Sequence, residues 1–235
     1  TPTVLGPSLM TAHEMALWYR NTGSAERTAE PMDRVAAYYI HEAKVLGVRA
    51  DLAYAQAMLE TGAFTSPLTT QSNFAGIGAC DSCATGYGYS GVQLGVRAQM
   101  QLLRAYADPA ATSAGFGYPA VKTQPETLGV RGCCDTWGRL TGVWATDPGY
   151  GPKIMEIYHR MLQFTITQRL AAQPGDLKAR QDAAARLEKG ELGTPTAAAG
   201  APGALPTAPT GNGMPAVPAV PAAPLPTGTP ATVKP

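Results

Sequence analysis

The stretch Tyr54-Ala55-Gln56-Ala57-Met58-Leu59-Glu60-Thr61-Gly62-Ala63-Phe64 reads as the end of a helix. Leu52, Ala55, Met58 and Leu59 form its apolar stripe, Glu60 falls in the last turn, and Gly62 is where a helix stops. Glu60 follows the stripe directly, which predicts a position at the edge of the buried face. Soon after comes Asn73-Phe74-Ala75-Gly76-Ile77-Gly78-Ala79, whose glycines let backbone approach a ligand closely. A carboxylate ending an apolar helix beside such a turn suits a general acid. On position alone, it reads more readily as a solvated helix-end glutamate.

Other helices surround this segment. Thr11-Ala12-His13-Glu14 is a capping-box pattern and predicts a short helix ending near Gly23. Pro31 suits the first position of a second helix, in which Val35, Tyr38, Tyr39, Glu42 and Leu46 recur at helical spacing before Gly47 stops it. The helix carrying Glu60 starts near Ala50 or Asp51 and runs to about Thr61. Residues 64 to 94 are rich in Gly, Ser, Thr, Asn and Tyr and predict loops with one short hairpin. A helix from Gly95 to Tyr106 carries Val96, Met100, Leu103 and Tyr106 on one face, and Asp108-Pro109 ends it. Short helical pieces are predicted near Gln124–Leu128 and Thr136–Trp144. Pro152 opens the last core helix, with Ile154, Ile157, Tyr158, Met161 and Leu162 as its stripe. The expected fold is mainly α, with a small loop or hairpin lobe and a cleft between.

The chain of 235 residues divides by composition. Residues 1–10 read as an irregular lead-in, 11–165 as the core domain and 166–192 as a helical extension. Residues 193–235 hold more than half of the prolines, no acid and one base, Lys234. That composition buries too little apolar surface to offset the entropy of ordering, so a disordered Pro/Ala-rich tail is expected. The formal net charge of +1 and the lack of a Lys/Arg cluster argue against nucleic acid. No apolar run reaches membrane-spanning length. His13, His41 and His159 lie on separate predicted helices without ligand spacing, so neither a metal site nor a cofactor is expected. The start at Thr1 without Met fits a removed signal peptide or a trimmed chain.

Three ordered segments then match one family. Gln56-Ala57-Met58-Leu59-Glu60-Thr61-Gly62, Asn73-Phe74-Ala75-Gly76-Ile77-Gly78 and Trp144-Ala145-Thr146-Asp147-Pro148-Gly149-Tyr150-Gly151-Pro152-Lys153-Ile154 together resemble the bacterial glucosaminidase-type peptidoglycan hydrolases, which include autolysins and flagellar muramidase-like domains. The resemblance covers roughly residues 30 to 165. It implies a lysozyme-like (α+β) fold and hydrolysis of the β-1,4 bond after N-acetylglucosamine in peptidoglycan glycan strands. It also implies Glu60 as general acid and Tyr150 in the cleft supporting the reacting sugar. The cysteine pairs resemble actinobacterial members.

One departure matters. Many members carry a second acid in a hairpin after the Asn-Phe motif, and here only Asp81 lies between Asn73 and Tyr106. Asp81 is the candidate for that role, although a turn residue bracing its own loop reads at least as well. Without it, the sugar's own N-acetyl group or a held water would attack, or a lytic transglycosylase outcome would follow. A non-catalytic cell-wall glycan-binding or assembly protein on the same fold is the rival class. Gln56, Asn73, Phe74 and Gly76 are candidates to shape the sugar site. Tyr87, Tyr89 and Trp144 are candidates to stack on sugar faces, and each reads equally well as packing. Cys80, Cys83, Cys133 and Cys134 read either as four zinc thiolates or as two disulfides tying the 80s loop to the 130s loop, the second suiting an exported hydrolase. The expected setting is extracellular or cell-envelope, as a monomer, with a phage lysin as the alternative source.

Overall fold

The computed structural model describes residues 1–78, 86–122, 126 and 128–172. Five α-helices occur among them: α1 (Ala12–Asn21), α2 (Met32–Leu46), α3 (Ala50–Glu60), α4 (Val92–Ala107) and α5 (Tyr150–Ala172). Thr1–Gln168 falls in one compact unit, and of a second, Arg169–Pro221, only the last residues of α5 are described. The mainly helical class is as expected. Pairing between strands among the described residues is limited to isolated bridges, Thr3 with Thr136, Leu5 with Val48 and Thr141 with Ala145. Asp81, Cys80, Cys83, most of the piece near Gln124–Leu128 and everything after residue 172, including the Pro/Ala-rich tail, lie outside the described residues.

Local chemistry sets the helix ends. The Thr11 hydroxyl accepts from the Glu14 N–H, and Glu14 returns a bond from the Thr11 N–H at 2.8 Å, completing the capping box. Gly47 terminates α2 in the left-handed region at φ 68°. Pro31 serves as the cap residue before α2, one position earlier than its expected place. The helix expected from Gly95 starts three residues sooner, at Val92, and the piece near Trp137 is a four-residue 3-10 turn, Trp137–Leu140. The first residues of the chain are stitched down. Val4 is fully buried, donates to the Asp135 carbonyl and accepts from the Arg49 N–H.

Helix α3 departs from expectation. None of its residues is more than 7% exposed, so it is buried all round and has no solvent-facing side. Four of its eleven residues are alanine, and these small side chains let neighbouring elements close on it from every direction. Glu60 is therefore not at the rim of a buried face; it is 1% exposed. Helices α2 and α4 are joined across the core by a buried polar cluster. Arg97 and Gln93 donate to the fully buried Glu42 carboxylate at 3.1 and 3.0 Å, and Tyr118 donates to it as well. Breaking one partner of such a buried pair costs about 3–5 kcal/mol because a charge is left uncompensated.

The cysteines require a correction. Cys133 and Cys134 are joined to each other as a disulfide between adjacent residues, in place of a bridge from this loop to the 80s loop. The backbone explains the arrangement. Gly132 at φ 71° and the bond from the Cys134 N–H to the Tyr106 carbonyl press the turn against the end of α4. Cys134 is then 1% exposed and directed inward. A disulfide sulfur is no thiolate, which removes these two residues from a zinc set.

Candidate active site

The end of α3 is held by an unusual turn. Gly62, Ala63 and Phe64 all lie in the left-handed region, at φ 54°, 57° and 59°, a conformation that costs a non-glycine residue roughly 1–2 kcal/mol. Surrounding bonds hold it there. The Ala63 N–H reaches the Met58 carbonyl at 2.7 Å, the Phe64 N–H reaches the Thr61 hydroxyl at 3.0 Å, and Tyr19 donates to the Ala63 carbonyl at 3.0 Å. The chain thereby reverses immediately after Glu60, and Phe64 turns back into the core against Tyr19, Tyr54 and Phe74.

Two donors meet on one oxygen of Glu60. Tyr150 Oη donates to Oε1 at 2.5 Å and Trp144 Nε1 donates to the same atom at 3.1 Å. Both come from the third matching segment, and its sequence explains how they are delivered. Trp144 is fixed by its N–H to the Leu140 carbonyl and by its ring against Tyr106, 5.3 Å between centroids. Asp147 receives the Gly149 N–H at 2.8 Å and Lys153 Nζ at 2.7 Å, which hold its carboxyl below the usual range, the lysine bond contributing most. This clasp starts α5 at Tyr150. Gly151 is required one step later, since a Cβ there would sit 2.8 Å from the Thr141 hydroxyl oxygen. Burial, and next the neighbouring Glu60 carboxyl, push the Tyr150 hydroxyl well above its ordinary pKa, so it stays protonated and can donate.

The remaining sequence candidates take distinct positions. Gln56, one turn before Glu60, donates to Tyr150 Oη at 2.7 Å and so touches the pair directly. Asn73 is fully buried and spends its amide on backbone. Its Nδ2 donates to the carbonyls of Ile77 and Tyr87, and its Oδ1 accepts from the N–H groups of Ala75 and Ile77. It thus holds the 73–78 turn in shape and ties it to the segment beyond. Phe74 is fully buried and Gly76 is buried at φ 64°, both within that turn. Trp144 presents no face to solvent; its ring is fully buried and its indole N–H serves Glu60. Tyr87 is 46% exposed and Tyr89 partly buried, with Lys122 Nζ 5.3 and 5.2 Å from their ring centres. Gln99 has no place among the residues that the sequence motifs single out, and Tyr39 stands out there only through its helical spacing in α2. Yet Gln99 Nε2 donates to Gln56 Oε1 at 2.8 Å and Tyr39 donates to Gln99 Oε1 at 2.5 Å. The available signal was a glutamine on the apolar face of α4, between Val96 and Leu103.

The Glu60 carboxyl, 1% exposed, thus receives two fixed donors on one oxygen. Among the described residues no group of three or more His, Cys, Asp or Glu side chains could hold a metal ion. No helix among them is long and apolar enough to cross a membrane.

Comparison with known proteins agrees with this geometry in extent. The family model described as mannosyl-glycoprotein endo-beta-N-acetylglucosaminidase matches residues 36–163, which take in Gln56, Glu60, Asn73, Gln99, Trp144 and Tyr150. An uncharacterized protein of Borreliella burgdorferi is 35% identical over 136 residues, 57% of this chain and 64% of that protein. The chain thus spans a little under two thirds of that relative's length. None of the solved structures matches. With the family model covering more than half of the sequence, the chain belongs to the glucosaminidase family of glycosidases.

Proposed function

We propose that this protein cleaves the β-1,4 glycosidic bond after N-acetylglucosamine in peptidoglycan, with Glu60 as the general acid. The observation that carries the reading is the convergence of Tyr150 and Trp144 on Glu60 Oε1. In this reading the protonated carboxyl gives its proton to the leaving oxygen as the glycosidic bond breaks, while Tyr150 and Trp144 hold Oε1 in place. As the proton departs, two preorganised donors meet the charge that develops. Gln56 orients Tyr150, and Tyr87 and Tyr89 offer faces for sugar stacking. The oxocarbenium-like centre is met either by Asp81 or by the substrate's own acetamido oxygen.

A second reading, a glycan-binding or assembly protein that does not turn over, is favoured by one observation. Glu60 is 1% exposed, so contact with a glycosidic oxygen requires the site to open locally. Product analysis on purified peptidoglycan separates the readings. Borohydride reduction followed by mass spectrometry should find N-acetylglucosamine at the new reducing ends. Muramic acid at those ends would overturn the bond assignment, anhydro-muramic ends would make the protein a lytic transglycosylase, and intact glycan would leave the binding reading.

A further inference from the structure

The hydrogen bonds around Glu60 continue into the core as a single directed chain. Tyr39 donates to Gln99 Oε1 at 2.5 Å, and Gln99 Nε2 donates to Gln56 Oε1 at 2.8 Å. Gln56 Nε2 donates to Tyr150 Oη at 2.7 Å, and Tyr150 donates to Glu60 Oε1 at 2.5 Å. The chain crosses α2, α4, α3 and α5 and returns to α3, and none of its five residues is more than 1% exposed. Two neutral amides buried in an apolar core demand that every polar atom be matched. An aliphatic pair would pack there without that demand, so stability alone does not account for them.

We propose that Gln99 is a positioning residue that fixes the direction of the Tyr150 hydroxyl proton, with Tyr39 satisfying its oxygen; the proposal rests on Glu60 being the catalytic acid. The argument begins at the Ala53 carbonyl, which accepts the second Gln99 Nε2–H at 2.9 Å. A carbonyl oxygen cannot donate, so Gln99 must turn its NH2 towards Ala53 and its oxygen towards Tyr39. Burial pushes the Tyr39 hydroxyl well above its ordinary pKa, so it remains a donor. The remaining Gln99 N–H points at Gln56, which must answer with its oxygen. Gln56 then presents its own NH2 to Tyr150, whose oxygen becomes the acceptor. The Tyr150 proton is left to Glu60. A polarity anchored in the backbone of α3 thus reaches the acid at the end of the same helix. Were either amide reversed, the Tyr150 hydroxyl would be drawn towards Gln56 Oε1, and Glu60 would lose a donor.

The test is a double-mutant cycle on soluble, uncross-linked glycan strands, reading kcat and KM separately. Gln99→Met keeps the volume and removes the bond that orients Gln56. Its kcat should fall about tenfold with KM unchanged, the loss of one hydrogen bond made in the transition state. In a Tyr150→Phe background the same substitution should change kcat by less than about twofold, because its effect passes through that hydroxyl. Should Gln99→Met fail to fold by circular dichroism, Tyr39→Phe carries the cycle, with a fall of about two- to threefold that also vanishes beside Tyr150→Phe. A wild-type kcat in Gln99→Met, or an equal factor with and without Tyr150, overturns the inference. Glu60→Gln is run alongside. If it retains turnover, the acid assignment itself has failed; if it is inactive while the cycle is additive, only the role of Gln99 is lost.

Discussion

Replacing Gly95 by alanine tests how the site turn is seated. Gly95 lies in the first turn of α4, and a Cβ built there would fall 1.6 Å from the Ser72 carbonyl oxygen, 2.8 Å from its carbon and 3.2 Å from Phe74 Cε2. Ser72 itself is held at φ 55° and opens the turn that Asn73 braces. To bring the closest contact from 1.6 Å to the 3.0 Å that real Cβ atoms respect, helix and turn must part by about 1.4 Å. A radial gap of 0.5–1 Å already forfeits a quarter to a half of each dispersion contact, roughly 1 kcal/mol for each large side chain along the seam. The strain of forcing backbone off its packed position adds about 1–3 kcal/mol. The expected destabilisation is about 3–5 kcal/mol, a large part of a typical domain's 5–15 kcal/mol. Urea unfolding followed by circular dichroism should show the midpoint falling by about 1.5–2.5 M at a slope near 2 kcal/mol per M. Gly129→Ala is the control, since nothing lies within 4 Å of its added methyl. A Gly95→Ala protein within about 0.5 kcal/mol of wild type would refute the close seating of α4 on the turn.

Other consequences follow from the same geometry. Tyr150→Phe removes a donor from Glu60 and an acceptor from Gln56. Its kcat should fall about 10- to 100-fold, and its stability by about 1–3 kcal/mol for the orphaned Gln56 N–H, measured by cell-wall turnover and urea titration. Asp108 accepts the Ala110 N–H and the Arg104 guanidinium, the backbone bond first among the causes that lower its pKa below 3.8. A lowered folded-state value stabilises the protein above the unfolded-state value and loses that contribution as pH falls. Asp108→Asn should therefore cost on the order of 1 kcal/mol at pH 7, and the difference from wild type should close as pH falls through that range.

The helical framework was legible because its punctuation is local. The Thr11/Glu14 capping box and the stop at Gly47 act within a few residues of where they are written. Glu60 and Tyr150 were legible through the matching segments, but their contact joins residues 90 apart in sequence, which no local pattern encodes. The depth of α3 was misjudged because alanine counts weakly towards an apolar stripe, although its small size is what lets the helix sink fully into the core. Trp144 reads from sequence equally as a sugar platform or as packing, because exposed and buried indoles look alike there; its ring lies fully buried against Tyr106. Gln99 carries a weak local signal, a polar residue on the buried face of α4, but its partners Tyr39, Ala53 and Gln56 lie more than 40 residues away in sequence. The pairing of Cys133 with Cys134 depends on how the turn at Gly132 meets α4, and spacing says nothing about that.

The central claim is that the Glu60 carboxyl delivers the proton to the glycosidic oxygen. The direct measurement is the release of reducing ends from purified peptidoglycan by wild type and by Glu60→Gln, a near-isosteric change that keeps a carbonyl acceptor for Tyr150 and Trp144 but carries no acidic proton to transfer. The variant should unfold at a urea concentration close to that of wild type and still sediment with cell walls, while its rate falls by a factor of about 100 or more. Turnover within a few-fold of wild type by the folded variant would contradict the claim.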